Sequence, residues 1–98
     1  GIPAVTSAAM HRMASMYDDL GRALLGSERP ASLSEAELLE YEFLLAAQAA
    51  PFAQQAMDIY RLNAERAREQ PADPWVAKSL EQLQVMTHAQ EHRGESET

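Results

Sequence analysis

Apolar residues recur three and four positions apart along most of the chain, the period of a helix face, and nowhere alternate as a half-buried strand would. Met10, Met13, Tyr17, Leu20 and Leu24 form one such stripe and predict a helix over about 7–25, with Thr6 or Ser7 as its cap. Gly26 follows at the position where a left-handed glycine commonly closes a helix, and Pro30 stands just beyond. Gly21, inside this helix, costs about 1 kcal/mol relative to Ala unless it lets another helix approach closely.

After a polar connector over 27–33, Ser34 and Glu37 form the S-x-x-E pattern in which each side chain satisfies the other residue's free backbone donor. Leu38, Tyr41, Leu45, Ala49 and Phe52 then make one apolar stripe, and Leu39, Phe43, Leu44 and Ala47 an adjoining one. That arc is wider than a surface helix needs, so this helix is expected at the centre of the fold. Pro51 removes a backbone donor, yet strong helix formers flank it with no Gly, Asn, Asp or Ser to build a turn. The pattern favours one long helix from 35 to about 69, kinked near 48–51, over two helices at 35–50 and 51–69. Asp73 and Pro74 read as a cap and first helical residue of a last helix over 74–91, whose stripe is Val76, Leu80, Leu83 and Met86. Residues 92–98 carry no apolar anchor and are expected to form a flexible tail.

These elements predict an all-α domain over 1–91, either a small helical bundle or an excerpt of an α-solenoid of three to four helices. The first helix is expected against the first half of the long one and the last helix against its second half. Ala46, Ala47, Ala49, Ala50, Ala53 and Ala56 would let backbones approach closely where the halves meet.

Composition narrows the partners more than the fold. Fifteen acidic against eight basic residues give the 98-residue chain a net charge of −7, which repels a phosphate backbone and argues against nucleic acid. No apolar run is long enough to span a membrane, and no basic segment leads into an apolar one as in a signal peptide. The absence of Cys removes disulfides, thiolate metal sites and cysteine nucleophiles and is neutral about compartment.

Candidate chemistry is sparse. His88 and His92 stand four apart, on one helix face, and would make a small metal site if an acid such as Glu91 or a third ligand converged on them; two solvated histidines are the plain alternative. Glu37, Glu40 and Glu42 sit at a helix start, where the dipole already explains them. Phosphate-loop, nucleophile-elbow and H-E-x-x-H signatures are missing, so neither an enzyme nor a cofactor is expected. Met10, Met13 and Met16 with Tyr17 offer an adaptable patch, and Tyr60 and Trp75 are of the types enriched at binding hot spots. The candidate interaction surface is therefore Met10, Met13, Tyr17, Tyr60 and Trp75, although core filling accounts for the same residues and Trp75 also suits an internal clamp over the connector before it.

The stretch from Tyr41 to Asn63, with Gln48-Ala-Ala-Pro-Phe52 at its centre, and the run Asp73-Pro-Trp-Val-Ala-Lys-Ser79 resemble helical segments beside tetratricopeptide-repeat arrays in bacterial envelope proteins. The likeness covers about half the chain. It implies a piece of a larger α-solenoid scaffold that binds proteins or neighbouring helical repeats, in a periplasmic setting in preference to a cytosolic one. The 34-residue tetratricopeptide period cannot be laid over the sequence twice, so no family binding residue carries over. The leading expectation is a non-catalytic interaction or scaffold domain. A homodimerisation module pairing through the 10, 13, 17, 20, 24 stripe is the alternative, and a small metal- or ligand-binding domain the third.

Overall fold

A computed structural model describes the backbone of residues 2–96 and the side chains of residues 2–92. Three helices follow one another: α1 (Ile2–Leu25), α2 (Glu35–Ala64) and α3 (Pro74–Ser96), with a 3-10 turn at Glu65–Arg68 closing α2. No strand occurs among the described residues, and the all-α bundle expected from periodicity is the observed fold.

Helix α1 begins five residues before the expected start at 7. Thr6 and Ser7 do not cap it; their hydroxyls donate back to the carbonyls of Ile2 and Pro3, the i−4 bond of residues already inside a helix. Its far end falls at Leu25 as expected, but it is closed in a different way. Gly26 does not take a left-handed conformation, and the positive φ falls on Ser32 in the loop. The closing groups come instead from side chains. Arg29 donates to the carbonyls of Leu25 and Ser27 and to both carboxylate oxygens of Glu42, and the Ser27 hydroxyl donates to the Leu24 carbonyl. An arginine that satisfies the last carbonyls removes the need for a glycine cap.

The capping box at Ser34 and Glu37 is formed in both directions. Helix α2 then runs unbroken through Pro51, as the flanking helix formers required, with the ring on an exposed position. It ends at Ala64 rather than about 69, because the following four residues tighten into the 3-10 turn. Helix α3 starts at Pro74 with the Asp73 carboxylate accepting from the Trp75 N–H. It continues to Ser96, past the expected end at 91, so the proposed tail is helical over 92–96 and 97–98 lie outside the described residues.

The packing of α1 on α2 departs from the stripe read in the sequence. The buried positions of α1 are Ser7, Ala14, Asp18 and Gly21, whereas Met13 and Leu20 are about half exposed. Facing them on α2 are Asn63, Ala56 and Ala49: the Asn63 side chain reaches the Ser7 carbonyl, Ala14 and Ala56 share one core cluster, and Gly21 lies against the Ala49 carbonyl. Buried positions thus recur every seven residues on both antiparallel helices, small on α1 and at Ala49 and Ala56 of α2, which draws the backbones together and leaves the larger side chains of α1 on the shoulders of the contact. The same register places α1 along residues 49–63, mainly the second half of α2, not the first half as the sequence suggested. Helix α3 joins there too, through Val76, Ser79, Leu83 and Met86, which leaves the start of α2 overhanging.

The outcome is an elongated molecule of 55 × 27 × 15 Å. Its radius of gyration is 16.6 Å, against about 13 Å for a compact chain of this length. The overhang of α2 beyond Leu25 is about ten residues, or about 15 Å. From Thr87 to His92 every residue of α3 is exposed, so α3 leaves the bundle at the same end.

Candidate functional site

The closed end of the bundle holds a polar cluster buried between all three helices. The Asn63 amide donates to the Ser7 carbonyl at 3.0 Å and to the Ser79 hydroxyl at 2.8 Å, and His11 Nδ1 lies 3.0 Å from that hydroxyl. Arg66 donates to the Ser7 hydroxyl and the Pro3 carbonyl. Asn63, Ser7 and Ser79 are fully buried, and Asn63 Oδ1 has no partner among the described residues. Trp75 covers His11, whose ring also meets Tyr60, while the Arg12 guanidinium and the Lys78 ammonium sit over the indole. Burial, and then the Lys78 charge, push the His11 pKa below its ordinary value. The Asp73 carboxyl is held below its usual range by the Ser7 hydroxyl and by the N–H groups of Trp75 and Val76.

A serine beside a histidine invites a catalytic reading, but the Ser79 oxygen has no exposed surface to meet a substrate. Its pairs run across helices instead, Asn63 to Ser7 and Ser79, His11 to Ser79. A buried polar layer of this kind fixes which turn of one helix faces which turn of the next.

The five residues singled out in the sequence do not share one surface. Tyr60 is core; Met10 and Tyr17 are half-buried against the same cluster; Trp75 is half-buried and packs on His11; Met13 alone is about half exposed. His88 and His92 touch through their Nε2 atoms at 2.9 Å, and no third metal-ligating side chain converges on them among the described residues.

The open end carries the more informative feature. A groove of about 520 Å3 runs between the end of α1 and the departing part of α3. Its floor is Ala46, Ala49, Ala50, Ala53 and Met57 of α2, and its walls include Arg22 and Leu25 on one side and Val85 and Ala89 on the other. The floor belongs to a stripe through Leu39, Phe43, Ala46, Ala50, Ala53 and Met57, spaced alternately by four and three, the seam of a helix that packs on another helix. Met57 is buried, but Leu39 and Phe43 are each 73% exposed. Another recess, at Ala64, Glu65, Ala67 and Arg68, is bounded by a single turn and encloses nothing.

The alanines of this floor were legible in the sequence as sites of close approach, assigned there to contacts within the chain. The walls were not legible, because Arg22 and Val85 meet only through the register of three helices. The polar cluster left one signal, Asn63 inside an apolar stripe. No helix among the described residues is long and apolar enough to cross a membrane. Compared with family models, with curated proteins and with solved structures, the chain finds no match.

Proposed function

We propose that the chain is a non-catalytic protein-interaction domain that receives a helix in the groove at its open end. The observation that carries this reading is the stripe Leu39, Phe43, Ala46, Ala50, Ala53: it has the spacing of a helix-packing seam, and its members from Leu39 to Ala50 are exposed, with only Ala53 partly covered by α1. Helix-in-groove recognition uses anchors at this spacing, and the alanine floor leaves room for bulky side chains from the partner. A neighbouring helical repeat of a larger scaffold would supply such a helix in the same way as a separate protein. The buried cluster at the closed end holds the three helices in register and so keeps the groove open in the absence of a partner.

The test is a panel of synthetic amphipathic helical peptides with leucines three and four apart and with lysine, glutamine or glutamate on their flanks, titrated calorimetrically into the chain. Saturable one-to-one binding by at least one peptide, lost when Ala50→Trp fills the floor, is the expected result. Absence of binding by every peptide rejects the reading.

A further inference from the structure

We infer that the helix received by this groove is basic on its flanks, with bulky aliphatic or aromatic side chains on its buried face. The inference rests on the groove being the binding face, and it concerns which class of helix enters.

Four alanines and a buried methionine make the floor of α2, so the knobs that fill it have to come from the incoming helix. A helix offering alanine to alanine would leave the space of about 520 Å3 unfilled. A second copy of α2 is a poor candidate, because its own Ala46 to Ala53 segment is recessed between α1 and α3, and two recessed floors cannot touch.

Charge then selects the flanks. The cations beside the groove are already matched: Arg22 pairs with Asp18 at 3.0 Å, and Arg29 holds Glu42 through two hydrogen bonds. At the mouth of the stripe the acids are not. Glu35 stands one turn before Leu39 and Glu40 beside it, both exposed and neither paired with a cation among the described residues. The whole chain adds a net charge of −7 to this local excess. An acidic helix would meet repulsion over the end where Leu39 and Phe43 offer the most apolar surface, whereas lysine or arginine there finds two open carboxylates.

The experiment compares the same three peptides on the 98-residue chain and on the double variant Glu35→Lys, Glu40→Lys. The natural chain is expected to bind the lysine-flanked peptide about tenfold more tightly than the glutamine-flanked one, at up to about fivefold per exposed pair, with the preference shrinking as salt is raised. The double variant is expected to reverse the order and favour the glutamate-flanked peptide. Ala50→Trp, and Ala46→Trp should the first not fold, retain every charge and are expected to lose binding of all three peptides. Equal affinities for the three peptides overturn the inference while leaving the groove as a helix-binding face. Unimpaired binding of the lysine-flanked peptide to the folded, groove-filled variants overturns it as well, since the attraction would then be to the acidic surface at large. Formation of a dimer by light scattering that blocks every peptide also overturns it, by making a second copy the occupant.

Discussion

Gly21 packs against the backbone of α2, and replacing it with alanine tests the seven-residue seam directly. A Cβ built there would lie 3.5 Å from the Ala49 carbonyl oxygen, 3.5 Å from Phe52 Cβ and 3.7 Å from the Ala53 nitrogen. These are ordinary contact distances, and the residue's φ is not in the left-handed region, so the methyl fits without moving either backbone. Removing a mid-helix glycine gains about 1 kcal/mol of helix propensity. The buried methyl contributes up to about 0.8 kcal/mol more. Gly21→Ala is therefore expected to stabilise the fold by about 1–2 kcal/mol, a rise in Tm of at least about 4 °C for a domain of this size. Gly21→Leu, which needs several further atoms in the same gap, is expected to destabilise by about 1–3 kcal/mol. Thermal and urea unfolding followed by circular dichroism reads both. A lower Tm for the alanine variant would refute the spacing of the seam, because it would mean that the helices leave no room for even one carbon.

Ser34→Ala removes the cap of α2 and is expected to cost about 1 kcal/mol, read as a lower urea midpoint with an unchanged slope. Asn63→Ala strips the buried layer of its bridge and leaves the Ser7 carbonyl and Ser79 hydroxyl poorly matched, a loss of about 1–3 kcal/mol by the same assay. His11 has a folded pKa below its ordinary 6.5, so the native state binds its proton less readily than the unfolded chain does. Its contribution is complete above that value and is lost as pH falls through the depressed pKa; His11→Phe is expected to flatten the stability profile below pH 6.5, and an unchanged slope would contradict the burial of the ring. Glu37 and Glu42 are depressed carboxylates, the first through its Ser34 hydrogen bonds and the second through Arg29, so their stabilisation appears above the ordinary carboxylate range and disappears at more acid pH, below the histidine window.

Features with a local cause could be read from the sequence. The Ser34–Glu37 box, the Asp73-Pro74 start and the continuity of α2 through Pro51 each depend on a few neighbouring residues. The face of α1 could not, because the usual rule assigns contact to the largest apolar side chains. Here Ser7, Ala14 and Gly21 make the contact, and Met13 and Leu20 are left partly in water. The end of α1 at Leu25 was legible, but its cap was not: Arg29, four residues past Leu25, caps the carbonyls through a bond that also needs Glu42 of another helix. The exposure of Leu39 and Phe43 follows from an offset of about ten residues between α1 and α2, and the alanine floor from the gap between α1 and α3; a stripe by itself does not say which of its turns another helix will cover. His11, Asn63 and Ser79 are separated by 52 and 16 positions in the chain, and nothing short of the helix register brings them together.

The central claim is that the uncovered half of the α2 stripe is a seat for a basic amphipathic helix. Amide chemical shifts of the labelled chain, followed while the lysine-flanked peptide is added, test it most directly. Shifts concentrated at Leu39, Phe43, Ala46, Ala50 and Ala53 of α2 and at Val85 and Ala89 of α3, with the closed end around Asn63 and Ser79 unmoved, are the predicted result. Changes centred on the outer face of α1 around Met13 and Leu20, with the alanine floor silent, would contradict it.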